Sequence, residues 1–220
     1  KRITSVTIRV MAADKSLSAW RVVSLAWRSV NPRPIAQARE GLPNREGVMT
    51  DTIYTIGHSN HTWESFGPLL RDHAIELLVD TRSNPVSRFA PFTNSRTLPD
   101  LLDREDIEYV YLGGPLGGKP VDESFYDDKG KPDYRRMRAE ETFQEAVDQV
   151  ASMARRSNLV LMCSEEDPSQ CHRLLLLGPA LEEEKGLRML HIRSTGEAIT
   201  TGRLGNLRKH RQQIQGTLPL

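Results

Sequence analysis

The stretch 75-IELLVD-80 decides the architecture. Its apolar residues do not alternate with polar ones, as they would in a strand with one wet face; Ile75, Leu77, Leu78 and Val79 run nearly together and stop at an aspartate. So short and so apolar a run reads as a strand covered on both faces, the condition of strands in parallel sheets. Working outward, strand and helix patterns alternate. Before it, 52-TIYTI-56 reads as a strand, and Thr62 can cap a helix whose Trp63, Phe66, Leu69 and Leu70 recur at helical spacing. After it comes the irregular 81-TRSNPVSRFAPFTN-94, then a helix capped by Ser95 and running towards Glu105. The strand 107-IEYVYL-112 and the glycine-rich 113-GGPLGGKP-120 follow, then a helix over about 134–156 with Phe143, Val147 and Val150 on one stripe. The strand 158-NLVLMC-163, a helix over about 168–185 ended by Gly186, and the strand 187-LRMLHI-192 complete the series. The expected fold is α/β, a mostly parallel sheet of about five strands flanked by helices and joined by right-handed crossovers.

The 220-residue chain is 38% hydrophobic and 27% charged, which is globular composition, and no apolar run reaches the length of a membrane span. Two cysteines are too few for a secreted disulfide framework, so free thiols and a reducing, cytoplasmic compartment are expected. Charge is uneven: residues 1–48 hold nine Lys/Arg against three Asp/Glu, leaving 21 against 26 in the remainder. Residues 1–48 read as a basic extension outside the core, with an amphipathic helix at 18–30 ended by 31-NPRP-34. Residues 49–204 read as the α/β domain, and 205–220 as a basic tail.

Ligands of open parallel sheets bind beyond the carboxyl ends of the strands, so the residues just after each strand matter most. They are Gly57, His58, Ser59 and Asn60; then Asp80, Arg82, Ser83 and Arg88; then two glycine pairs; then Cys163, Glu165, Glu166 and Asp167. Asp80 is a candidate base or charge stabiliser, or an ion-pair partner of Arg82 that only organises the loop; Glu165 is a candidate general acid or base, unless the acids at 165–167 serve to cap a helix; and His58 can exchange protons near neutral pH or simply bond a neighbouring carbonyl. Arg82, Ser83, Ser87 and Arg88 form a donor-rich surface suited to phosphate, with Phe89 and Phe92 available for stacking or for anchoring the loop. The glycine pairs allow close backbone approach to a ligand but do not form the dinucleotide fingerprint.

The segment 160-VLMCSEEDPSQCHR-173 holds both cysteines. Seven residues between Cys163 and Cys171 match neither a zinc knuckle nor a two-residue redox spacing. Three readings stay open there: buried packing residues, a metal site completed by His172 and His58, or a reactive thiolate at Cys171, lowered by a helix N-terminus and by Arg173. His172 and Arg173 would face an anion at that terminus.

Together 55-TIGHSN-60, 79-VDTRSNPVSRFAPF-92, 109-YVYLGGPLGG-118 and 162-MCSEEDPSQCHR-173 resemble the family called domain of unknown function 488 (DUF488), over roughly residues 52–192. One departure is Thr81 between Asp80 and Arg82, where valine is more usual. The resemblance implies an α/β fold and a link to DNA repair and the removal of modified bases. The function expected is accordingly a DNA-acting hydrolase of glycosylase type that needs no cofactor or metal. In it Asp80 or Glu165 activates water, His58 or Asn60 holds a flipped base, and Arg82, Ser83, Arg88, Phe89, Cys171, His172 and Arg173 bind the nucleic acid. The alternatives are a thiolate redox or metal-binding protein built on Cys163, Cys171 and His172, and a non-catalytic nucleic-acid-binding module.

Overall fold

A computed structural model describes residues 52–206. The basic extension, its expected helix at 18–30, and the tail beyond residue 206 lie outside the described residues.

The described chain is an α/β fold built on one sheet. Its elements are β1 (Thr52–Gly57), α1 (Trp63–Asp72), β2 (Leu77–Asp80), α2 (Leu98–Asp103), β3 (Glu108–Tyr111), α3 (Gly113–Leu116), α4 (Tyr134–Arg138), α5 (Glu141–Ala154), β4 (Leu159–Cys163), α6 (His172–Leu175), β5 (Arg188–Ile192) and β6 (Ala198–Thr200). The strands lie in the order β3-β2-β4-β1-β5-β6. The first five are mutually parallel, and β6 joins β5 antiparallel as an edge, one strand beyond the five expected.

Both faces of the sheet are covered, and the period of two along each strand divides the core. Ile53, Leu77, Val79, Leu159, Leu161 and Met189 pack with α5 and with residues 176–181. Ile56, Leu78, Val160, Met162 and Ile192 pack with α1 and α2. This is why 75-IELLVD-80 carries no polar alternation: Leu77–Asp80 is buried at every position. Among the described residues no helix is long and apolar enough to cross a membrane.

Three local expectations change. The helix expected over 168–185 is broken into a 3-10 turn at Pro168–Gln170, the four-residue α6, and a π-helical segment Pro179–Glu184. Cys171, whose backbone is extended, separates the 3-10 turn from α6, and Pro179 removes a backbone donor and crowds the preceding turn, so a continuous ladder cannot form. The helix expected over 134–156 splits at Glu140, whose backbone is extended, after Ala139 and Glu140 bond back to Arg136 and Met137 and close off α4. The cap of α2 is Thr97, not Ser95, because Pro99 suits the first helical turn. Thr62 does begin α1, its N–H donating to Ser65 Oγ at 3.2 Å, and Gly186 sits at φ +69 after the π-helical segment.

Adjacent strands β4 and β1 send their chains to opposite sides. β1 leads through α1 to β2, and β4 leads through α6 to β5. The crevice of such a sheet forms at this reversal, beyond the carboxyl ends of β1 and β4.

Candidate functional site

Polar residues crowd the carboxyl edge of the sheet as expected, but they form two separate constellations on opposite faces. Asp80 is in register with Met162, on the α1 and α2 side. Cys163 shares the parity of Leu159 and Leu161, on the α5 side.

On the first face Asp80, with no exposed surface, forms a salt bridge with Arg82 at 2.6 Å. Asp80 Oδ1 accepts from the Arg82 backbone N–H and from Nε, and Oδ2 accepts from Arg82 Nη2 and from the Tyr109 hydroxyl. Arg82 spends its remaining donors on the Thr93 hydroxyl, the Thr93 carbonyl and His58 Nε2. His58 Nδ1–H in turn donates to the Ser59 carbonyl. Burial, and then the Arg82 charge, push the His58 pKa down to about 4, so it is a neutral imidazole with both nitrogens engaged. Asp80 and Arg82 therefore present neither a free carboxylate oxygen nor a free guanidinium N–H to a substrate. They lock the 81–94 loop onto the sheet. Ser83 and the glycine pairs are likewise filled by protein. A Cβ on Gly113 would lie 1.9 Å from the Arg82 carbonyl, and one on Gly117 would lie 2.3 Å from Ser83 Oγ, which accepts the Lys119 N–H.

On the second face Cys163, Cys171 and His172 meet. Their ligating atoms all lie within 4.8 Å of one another, and all three residues are buried. His172 Nε2–H donates to the Thr81 carbonyl at 3.1 Å, so in the neutral ring it is Nδ1 that carries the lone pair. That lone pair faces Cys163 Sγ at 3.3 Å and Cys171 Sγ at 3.8 Å. The ring is held against Gly118, where a Cβ would lie 2.6 Å from His172 Cβ. His58 belongs to the other face and takes no part in this cluster.

Arg173 closes the cluster, fully buried. Its backbone N–H and its Nε donate to Cys171 Sγ at 3.5 and 3.4 Å, and Nη2 donates to the carbonyls of Glu165 and Glu166. Among the described residues no carboxylate pairs with it, and Glu166 gives both oxygens to Arg193 instead. Gly57 makes room for this arrangement, since a Cβ there would sit 1.8 Å from the Glu165 carbonyl oxygen.

The two thiols titrate as a pair. A hydrogen bond from Cys171, opposed by burial and helped by Arg173 and the Ser164 and Glu165 N–H groups, pulls Cys163 down to about 7. The same bond, with burial, pushes Cys171 up to about 12. Cys163, not Cys171, is thus the thiol that ionises first. The reason is structural. α6 has only four residues and offers little dipole, and Cys171 serves as its N-cap and as the donor to its neighbour.

Behind Arg173 a buried chain of hydrogen bonds runs across the sheet. Thr201 Oγ1 donates its single proton to Glu182 Oε1 at 3.0 Å, so at 3.1 Å it accepts from His191 Nε2–H. His191 Nδ1 is then bare and accepts the Thr55 hydroxyl at 2.8 Å, and Thr55 accepts from Arg173 Nη1 at 3.3 Å. Burial, followed by the charges of Arg173 and Arg193, pushes His191 down to about 4. Thr55, Thr93, Tyr109 and His191 were not singled out from sequence. The signal present was a polar residue at an inward position of an apolar strand, as in 187-LRMLHI-192.

Above both constellations lies a shallow depression of about 330 Å³ lined by His58, Ser59, Asn60, Val86, Ser87, Phe89, Ser164 and Glu165. Phe89 and Val86 are exposed at 82% and 60%. The edge thus brings His58, Asn60, Phe89 and Glu165 together, leaves Arg88 exposed on the same loop, and keeps Asp80, Arg82, Cys171, His172 and Arg173 beneath the surface. In the turn that presents Cys171, Ser169 Oγ is buried without a hydrogen-bond partner among the described residues.

Comparison with curated proteins and with solved structures finds no match in either. The family model described as domain of unknown function DUF488 matches residues 62–178, from the start of α1 past α6, and so takes in Asp80, Arg82, Thr93, Tyr109, Cys163, Cys171, His172 and Arg173 but not His58 or the chain through Thr55, His191, Thr201 and Glu182. That match covers more than half of the 220-residue chain, and the chain belongs to the DUF488 family.

Proposed function

We propose that this protein works through a thiolate at Cys163, with Cys171 and His172 as its partners, as a dithiol redox protein. The observation that carries the reading is Arg173: a guanidinium removed from water needs an anion, it donates to Cys171 Sγ with its charge also acting on Cys163, and Glu166, a carboxylate that feels its charge, is already engaged by Arg193. In the cycle a peroxide oxidises Cys163 thiolate to the sulfenic acid, releasing hydroxide or alcohol. Cys171, losing its proton to His172 Nδ1, then attacks that sulfur to form a disulfide and expel water. Two electrons leave the dithiol and reduce the O–O bond, and two external thiols, themselves oxidised to a disulfide, restore the pair. A reducing, cytoplasmic compartment suits such a dithiol.

The test is peptide mapping by mass spectrometry after stoichiometric hydrogen peroxide. The expected product is an intramolecular Cys163–Cys171 disulfide, forming about tenfold more slowly in Arg173→Met, the equivalent of one pKa unit. Recovery of both thiols unmodified from folded protein would refute the reading.

A second reading, hydrolysis of a modified base in DNA, has one observation in its favour: the depression joins an exposed phenyl ring to His58, Asn60 and the exposed Glu165. With Asp80 closed into its ion pair, Glu165 is the carboxylate left to activate water. Release of free base from duplexes carrying modified bases, abolished in Glu165→Gln, is its test.

A further inference from the structure

We propose that Cys163, Cys171 and His172 hold a thiophilic divalent cation of the zinc class, in a three-ligand site whose fourth position takes an anion. The inference names a ligand for the cluster on which the thiolate reading rests, and its own support is geometric. With metal–sulfur bonds of about 2.3 Å and a metal–nitrogen bond of about 2.0–2.1 Å, the S···N edge of a tetrahedron is roughly 3.5 Å. The observed edges from His172 Nδ1 are 3.3 Å to Cys163 Sγ and 3.8 Å to Cys171 Sγ, which bracket that value. All three ligating atoms lie within 4.8 Å of one another, so a single ion reaches them with small side-chain rotations.

The surroundings match what a metal site demands of its neighbours. A ligating imidazole presents a bare nitrogen to the ion and donates its other N–H to an acceptor that fixes the ring. His172 does this, with Nε2–H on the Thr81 carbonyl, and Gly118 packs against the ring. Thiolate ligands are stabilised by N–H donors, and Cys171 Sγ receives two of them from Arg173.

Charge identifies the fourth ligand. A divalent ion with two thiolates is neutral, which leaves the Arg173 guanidinium as a single buried positive charge. A hydroxide or an anionic ligand on the ion restores neutrality, so the open position favours a negatively charged donor. Metal binding and oxidation exclude each other, because both use the same two sulfur lone pairs. The ion should therefore protect the dithiol from peroxide.

The experiment uses the reduced 220-residue chain, stripped with a chelator and titrated with Co²⁺ and then Zn²⁺. The expected result is one equivalent of Co²⁺ with intense tetrahedral visible bands and a sulfur-to-cobalt charge-transfer band, displaced by Zn²⁺ and shifted on adding azide. Both His172→Gln and Cys163→Ser should weaken Co²⁺ binding at least about tenfold. As a readout that needs no variant, one equivalent of Zn²⁺ should slow disulfide formation by peroxide at least about tenfold. Absence of cobalt–sulfur bands, with the dithiol still oxidisable at an unchanged rate, would overturn the metal site and leave the thiolate reading standing. Absence of both cobalt binding and disulfide formation would overturn both.

Discussion

His191 makes the fold acid-sensitive by an amount that can be worked out in advance. The residue has no exposed surface, its Nδ1 accepts from Thr55 and its Nε2–H donates to Thr201, so a second ring proton has nowhere to go. The charged groups that face it, Arg173 and Arg193, both oppose protonation, and Glu182 reaches it only through Thr201. Its pKa falls from 6.5 to about 4 in the folded protein. The unfolded chain therefore binds a proton below pH 6.5 that the folded chain refuses until about pH 4, and stability falls as pH drops through that window. By linkage the loss is small at about pH 7.5 and reaches about 2 kcal/mol at about pH 5. Urea unfolding of wild type and His191→Gln at those two pH values measures it. Glutamine keeps one donor and one acceptor but cannot titrate, so the variant should lose about 2 kcal/mol less than wild type on acidification. Equal losses in the two proteins would show that His191 is already protonated, or that the hydrogen-bond chain is absent.

Two further substitutions separate scaffold from site. Asp80→Asn leaves the Arg82 guanidinium buried without its counter-charge, and should cost about 3–5 kcal/mol in chemical denaturation while cysteine reactivity in the still-folded protein stays within about twofold. A stability change below about 1 kcal/mol would mean that the ion pair is open to solvent. Gly57→Ala should cost at least about 1–3 kcal/mol and slow peroxide-driven disulfide formation, because its methyl would displace the Glu165 carbonyl on which Arg173 rests. Wild-type behaviour there would place the 163–166 loop elsewhere.

What could be read from sequence was governed by burial pattern. Leu77–Asp80 and Leu159–Cys163 show as strands because both faces of each are covered, and the residues following them do gather at one sheet edge. The antiparallel edge strand Ala198–Thr200 is three residues long, too short for its alternation to stand out. The side on which each catalytic candidate lies depends on register: Asp80 aligns with Met162, one position from Cys163, and that single step puts the carboxylate and the thiol on opposite faces. Adjacency in sequence also misled. Cys171, His172 and Arg173 looked like the start of a long helix, and the anion-binding terminus expected there disappears once the extended Cys171 and Pro179 confine that helix to four residues. His191 and Thr55, which connect Arg173 to Glu182, lie 136 residues apart and share a hydrogen bond that no local pattern announces.

On the reading proposed above, one of two neighbouring sulfurs is ionised beside a buried guanidinium. Following the cysteine Cβ chemical shifts by NMR in protein labelled with ¹³C at cysteine tests it most directly. Cys163 should lose its proton as pH rises through about 7, and Cys171 should keep its own until about 12 or until the fold is lost. Two shifts that stay thiol-like together up to about pH 9, near the ordinary cysteine range, would contradict it.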